Sequence, residues 1–296
     1  MGNKFIYFIP KKRRIKRSCI LLIFVIFPFS VFCTDTDNRV LKIHFLNVAE
    51  GDSILIETPQ NKTVLIDTGN LITGFHVVKY LQKNSIPKLD YLIFSHPHFD
   101  HIGGAFFVLQ MVKVEKVYDN GQDLAQLVKS EDVYRWYSEL VRKNNNYGTL
   151  SQGDSFRIDG VNFKILWPPK QQIAPDFNSN SLVIMIEYNN FRCLLTADLT
   201  ITGEKDLLRK GYNLKADVLK ISHHGENDAN SLGFLERVSP GISVISVNEN
   251  NIRGYPSWGV LDTLKYLKSS VYRTDVNGNI IVYIDDNGRI TVRQKQ

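Results

Sequence analysis

Four metal-ligand side chains crowd into six residues of this chain: His96, His98, Asp100 and His101. They follow Tyr91 to Phe94, a short apolar run bounded by polar and turn residues that reads as a buried strand. Pro97 cannot sit in a central strand or a helix interior, so residues 96–101 form a loop at the strand's carboxyl end. Gly103 and Gly104 then let the backbone turn before Ala105 to Met111, an apolar run long enough for a helix. Imidazole and carboxylate together suit zinc, with manganese or iron as alternatives. His96 and His98 fit a first cation, Asp100 and His101 a second close by. A histidine-rich surface turn is the competing reading, and the spacing of all four side chains argues against it.

Three further strand ends carry candidate groups. Thr63 to Ile66 ends at Asp67, beside Gly69; taken alone this is an ordinary turn aspartate. The hairpin Leu182 to Tyr188 and Phe191 to Thr196, turning at Asn189-Asn190, delivers Asp198, a carboxylate that can bridge two cations. Val218 to Ile221 runs into His223-His224-Gly225. By its place at the strand end His223 is the candidate ligand, and His224 is left to position substrate or donate a proton. His44, inside a strand, and His76, on the polar face of a helix, read as structural and solvated.

On the run from Ser95 to Gly104 the chain resembles the metallo-beta-lactamase superfamily, whose hallmark is H-x-H-x-D-H after a strand. More narrowly it is similar to the hydrolase domain of ComEC-type DNA-uptake competence proteins. That likeness covers about Val40 to Val292 and includes Gly51-Asp52-Ser53, Leu65-Ile66-Asp67-Thr68-Gly69, Leu194 to Asp198, Ala216 to Gly225 and Tyr272-Arg273-Thr274-Asp275. The resemblance implies an α/β fold, a four-layer αββα sandwich, with two divalent cations held by His96, His98, Asp100, His101, Asp198 and His223. It makes Asp198 the bridge and Asp67 a support that orients ligands without binding metal. The superfamily has another ligand histidine between the H-x-H-x-D-H loop and the bridging acid, and none lies between His101 and Asp198 here. ComEC-like members show an Asn/Ser segment instead; Asn178-Ser179-Asn180-Ser181 matches it, and Asn180 is the residue expected to reach the first metal or a bound water. Tyr255-Pro256 stands where relatives have a histidine before proline. A phenol can hydrogen-bond an oxyanion but cannot shuttle protons near neutral pH. Glu226 replaces a serine after His-His-Gly, and Asn47-Val48-Ala49-Glu50 departs from Asp-Val-Gly-Gln.

The resulting mechanism is hydrolysis by a metal-bound hydroxide, of a phosphodiester in the first instance, with Asp100, His224 and Tyr255 as candidate catalytic groups. Another envelope ester, such as a phosphocholine ester, a lactone or an amide is the alternative within enzymes, and a non-catalytic metal-binding module the alternative outside them. Charge bears on the substrate. Seven of the 36 basic side chains precede the first acid, Asp35, and the remaining 29 face 30 acids. Beyond the leader there is thus no net positive field to gather nucleic acid, which stays open as a partner without being implied.

The basic start is followed by Cys19 to Phe32, an apolar stretch broken by Pro28 and short of the roughly 20 residues a spanning helix needs. It matches a signal-peptide core. Residues 1–33 are therefore expected to be a signal peptide or a membrane or lipid anchor, with Cys33 as a lipidation point. Residues 34–296 are expected to form one hydrolase domain, periplasmic, extracellular or membrane-anchored, and touching membrane only through the N-terminal segment. Past Cys33 only Cys193 remains, so no disulfide forms within that domain.

Elsewhere, alternation predicts strands at Val40 to Val48, Ser53 to Glu57, Lys116 to Tyr118, Phe156 to Ile158, Val161 to Leu166, Ile242 to Val247, Val271 to Thr274, Ile280 to Ile284 and Arg289 to Val292. Helices are expected over Gly74 to Asn84, Leu124 to Asn144 and Ser257 to Lys268. Tyr134, Trp136 and Tyr137 fall on the second of these, as packing residues or flanks of a cleft.

Overall fold

The structure, a computed structural model, describes residues 40–125, 127–171 and 176–295. The expected leader, Cys33 included, and residues 172–175 lie outside the described residues.

Strands gather into two large sheets because their side chains alternate between two apolar surroundings. In Leu41–Phe45, Leu41, Ile43 and Phe45 enter a central core. In Ile54–Glu57 and Thr63–Ile66, Ile54, Ile56, Val64 and Ile66 do the same, while Leu55 and Leu65 enter a second core on the opposite face. With a period of two, each strand feeds two cores, so both faces of the sheet must be covered. The first sheet has the spatial order Ile290–Lys295, Asn279–Ile284, Leu41–Phe45, Ile54–Glu57, Thr63–Ile66, Tyr91–Ile93, Val117–Asp119, Tyr147–Thr149. The second runs Ser270–Arg273, Ile242–Ile245, Val218–Lys220, Phe191–Leu195, Val183–Tyr188, Val161–Trp167, Ser155–Ile158. Phe163, Ile165, Ile184, Ile186 and Cys193 from the second sheet share the central core with the first, so the sheets pack face to face.

Helices cover the outer faces. Leu71–Lys83, Ala105–Met111 and Asp132–Tyr137 close the second core, and Ile201–Arg209, Leu232–Val238 and Trp258–Tyr266 close a third. This is the expected four-layer αββα sandwich. No helix among the described residues is long and apolar enough to cross a membrane.

Two departures have physical causes. The helix expected over Leu124 to Asn144 is broken: Glu131 is extended between Leu127–Ser130 and Asp132–Tyr137, and Ser138–Arg142 is a π-helical turn. The break lets Tyr134 and Tyr137 enter the second core and brings the Tyr137 hydroxyl and Arg142 Nε to the buried Asp119 carboxylate, at 3.1 and 2.9 Å. Tertiary hydrogen bonding overrides local periodicity there. The helix Ile201–Arg209 was not legible because buried Glu204 interrupts its apolar stripe; its carboxylate receives the backbone N–H groups of Asn230 and Ser231. His44 is buried between the Tyr80 hydroxyl and the Glu57 carboxylate, and His76 is exposed, as their patterns imply.

Candidate metal centre

Parallel strand pairs end together. Thr63–Ile66 runs parallel to Tyr91–Ile93 in one sheet, and Phe191–Leu195 parallel to Val218–Lys220 in the other. Their carboxyl ends deliver Asp67, residues 95–98 with the helical turn Phe99–Ile102 in place of the loop expected through residue 101, Asp198 and His223-His224 to one place. Asp67, His223 and His224 adopt left-handed backbone conformations, with φ of 58°, 46° and 53°. Such conformations cost of order 1–3 kcal/mol each in non-glycine residues and persist where the surroundings enforce them.

The hydrogen bonds fix which imidazole nitrogens are free. Asp67 is buried, and its carboxylate accepts the Ser95 N–H at 2.7 Å and the Ser95 hydroxyl at 2.6 Å. It also meets His101 Nδ1 at 2.8 Å, which turns His101 Nε2 toward Asp198 Oδ2, 3.2 Å away. Since the Ser95 hydroxyl donates to Asp67, it is free to accept from His96 Nδ1 at 3.0 Å, leaving the Nε2 lone pair of His96 pointing away. That Nε2 lies 3.0 Å from His98 Nδ1. His224 Nδ1 donates to the Ser246 carbonyl at 2.9 Å, so Nε2 is the nitrogen that faces the cluster; burial opposes charge there, but Asp198 and Asp100 outweigh it and raise the imidazole's pKa, so a cation would have to displace a proton at this nitrogen.

Two donor sets result. Asp100, His101, Asp198 and His224 bring one donor atom each within 4.8 Å of one another, and His96, His98 and Asp198 do the same. Asp198 belongs to both. Among the described residues, the buried Asp198 Oδ1 and His224 Nε2 find no hydrogen-bond partner. A buried carboxylate oxygen such as Asp198 Oδ1 with nothing to accept from is unfavourable by about 1–3 kcal/mol, a penalty a cation removes. The nitrogen and oxygen donors, their clustering and their missing partners all fit divalent metal.

Protonation follows the same geometry. Burial, with the neighbouring His101 next, pushes His96 well below the ordinary imidazole range, so it stays neutral. Burial opposes charge on His101 as well, but the carboxylates of Asp198, Asp67 and Asp100 outweigh it and hold that imidazole well above its usual value. Proton and cation compete for its Nε2. Asp100, despite burial, is held well below the carboxylate range by His101 and His224, making it a ligand-ready anion and a poor base.

Four residues sit differently from their sequence expectation. His224, not His223, shares the four-donor set, with Nε2 3.5 Å from Asp100 Oδ2 and 3.6 Å from Asp198 Oδ2. His223 stands one step out: its Nδ1 pairs with Asp228 at 2.8 Å, and its Nε2 is 4.0 Å from Asp198 and 3.3 Å from the Asn178 amide nitrogen. The left-handed turn sends the second histidine inward, which strand position alone does not reveal. Asn180 is wholly buried and gives its amide N–H to the Asp176 carbonyl at 2.9 Å; Asn178, from the same segment, lines the cleft instead. Tyr255 lines the cleft and donates its hydroxyl to Glu226, and burial together with that carboxylate pushes the phenol up to about 12.

Ser95, Asp52 and Lys220 escaped sequence reasoning. Lys220 and Asp52 are both buried and pair at 2.6 Å, joining a second-sheet strand to the Gly51-Asp52 turn. A side chain at Gly51, whose φ is +100°, would meet the Asp100 carbonyl oxygen at 1.9 Å, so glycine there lets the turn press against the metal loop. A motif reading could have found Asp52 and Lys220 only by asking why charges occupy apolar strand ends.

The donors open into a cleft of about 940 Å³. Its outer wall carries Glu50, Glu226 and Asp228, and its one lysine or arginine among the described residues, Arg253, faces Glu50 at 3.3 Å.

A family model, the metallo-beta-lactamase superfamily, matches residues 46–247. "ComE operon protein 3" of Bacillus subtilis (strain 168) is 29% identical over 279 residues, covering 88% of this chain and 35% of that protein. "Recombination protein 2" of Haemophilus influenzae is 31% identical over 269 residues, covering 89% of this chain and 31% of that protein. The chain thus spans about a third of the length of these curated relatives. Among solved structures, the metallo-beta-lactamase fold protein YhfI from Bacillus subtilis aligns with a TM-score of 0.56 at 14% identity, covering 83% of this chain and 99% of that one, a likeness of fold.

Proposed function

The chain belongs to the metallo-beta-lactamase superfamily of hydrolases, and from that premise we propose that it is an exported metal-dependent hydrolase of phosphodiester bonds in small or singly charged substrates. The observation that carries the reading is the carboxylate of Asp198, common to a three-donor and a four-donor set. His96, His98 and Asp198 would hold one divalent cation, and Asp100, His101, His224 and Asp198 the other, with zinc the best match to the donors. When bound, such a pair lowers the pKa of water to about 7 and neutralises charge gathering on the ester oxygens.

The chain's own side chains do the rest. Asp67 and Ser95 keep the rings of His101 and His96 from turning, through the bonds described above. His223, backed by Asp228 and reaching the cleft at Nε2, is placed to give a proton to the departing oxygen. Tyr255, fully protonated and committed to Glu226, shapes the wall and moves no proton. Glu50, Glu226 and Asp228 repel extended polyanions, which favours a compact ester over a nucleic-acid strand. The same wall favours, as a second reading, an ester with a cationic group. The placement outside the cytoplasm rests on residues 1–33 alone.

The test uses purified full-length protein, its metal content by elemental analysis and bis-nitrophenyl phosphate as substrate. Metal-dependent cleavage that disappears in His96→Ala/His98→Ala is the expected result. Wild type and double variant behaving alike on phosphodiesters, lactones and carboxylic esters would sink the hydrolase reading.

A further inference from the structure

Beside the metal cleft lies a second, apolar cavity. Leu71, Phe99, Gly103, Phe106, Val133 and Trp136 line a groove of about 310 Å³ with Asp132 at its edge. The Asp132 carboxylate is 91% exposed and pairs with Arg135, so it offers nothing to the interior. Phe99 lines both cavities, and it sits in sequence between His98 and Asp100, two of the donor residues. Leu71 of the groove and Ile72 of the cleft are adjacent in the first turn of one helix. Leu71, Ile72, Phe99 and Phe106 are exposed by 42%, 83%, 45% and 37%, an unusual concentration of large apolar side chains at the mouth of a charged site. The Phe106 and Trp136 rings, 5.7 Å apart, shape the wall.

We propose that this groove is the subsite for an alkyl or acyl chain of the substrate, so that the phosphodiester cleaved next door belongs to a lipid-like molecule. This rests on the phosphodiester reading for the bond that is cut, and on continuity through Phe99 for what extends from it. An apolar chain matches a lining that is apolar apart from the Trp136 indole N–H and the edge carboxylate of Asp132, which pairs with Arg135. A nucleobase would leave its polar edge unpaired there, and a nucleic-acid strand running from the donors along the outer wall would meet Glu50, Glu226 and Asp228 against Arg253 and His223. Each methylene entering the groove should tighten binding by about fourfold until the space is filled.

The experiment uses metal-loaded full-length protein and nitrophenyl alkyl phosphodiesters of increasing chain length, below their micelle concentrations. KM should fall stepwise with chain length, and Phe106→Ser and Leu71→Ser should each flatten that dependence. A KM indifferent to chain length in the wild type would overturn the groove while leaving the phosphodiester reading intact. If no phosphodiester is turned over, calorimetry with alkyl phosphonates of the same lengths still decides: length-dependent affinity upholds the groove and rejects the reaction, and length-independent affinity rejects the groove. Flat chain-length dependence combined with vesicle binding or self-association that Phe106→Ser abolishes would assign the patch to a membrane surface or a second copy, against the proposal.

Discussion

The strands Thr63–Ile66 and Tyr91–Ile93 carry a buried aspartate at each end, and the two ends have solved the same problem in opposite ways. At the amino end Asp90 accepts the Thr63 N–H at 3.0 Å and meets the exposed ammonium groups of Lys62 and Lys88 at 3.1 and 3.2 Å. At the carboxyl end Asp67 is held by Ser95 and His101, and the far nitrogen of that imidazole meets Asp198 from the second sheet, whose Oδ1 has no partner among the described residues. Burial opposes ionisation of Asp90, yet the Thr63 N–H and the lysines hold its pKa below the ordinary value, whereas burial pushes Asp67 up in spite of His101. One end is finished by the protein's own cations. The other awaits charge from outside, which is what distinguishes a binding end from a structural one.

The contrast breaks most visibly at Asp198. Asp198→Ala takes one donor from each set and should lower metal content by elemental analysis and bring activity to background. Next comes the comparison of lysines. Lys220→Met strands the buried Asp52 carboxylate and should cost about 3–5 kcal/mol in urea denaturation, far above any loss from Lys62→Met at the exposed end. Removing the support beneath one ligand should be milder: Asp67→Asn is expected to weaken metal binding by about 10–100-fold in chelator competition. The smallest effect belongs to Asp90→Asn, about 1 kcal/mol at neutral pH. Its pH dependence has a definite sign. Because the folded carboxyl titrates below its unfolded value near 3.9, its contribution is present above about pH 4 and is lost as the pH falls further. The gap between Asp90→Asn and wild type should therefore close in acid.

Legibility followed the range of the interactions. Strand alternation is local, and the strands around the site stand where the pattern puts them; the loop expected over residues 96–101 holds only as far as His98, after which Phe99–Ile102 closes into a helical turn through the His98 carbonyl. The helix Leu71–Lys83 begins three residues before its expected start because the Asn70 side chain caps Ile72 and Thr73, a signal that exposed Ile72 and Phe75 obscured. Which of two adjacent histidines turns inward, and which asparagine of Asn178-Ser179-Asn180 meets the cleft, depend on backbone dihedrals and on distant partners such as Ser246 and Asp176.

By itself the sequence determined the donor inventory and the family: side-chain chemistry and its placement at strand ends are properties of short segments. Tertiary structure decided that His224 displaces His223 from the inner donor set, that Asn178 and not Asn180 lines the cleft, and that an apolar groove opens next to Phe99. The physical reason is that these outcomes turn on ångström separations between residues as much as about a hundred and thirty positions apart, which are set by how two sheets pack and by no pattern along the chain.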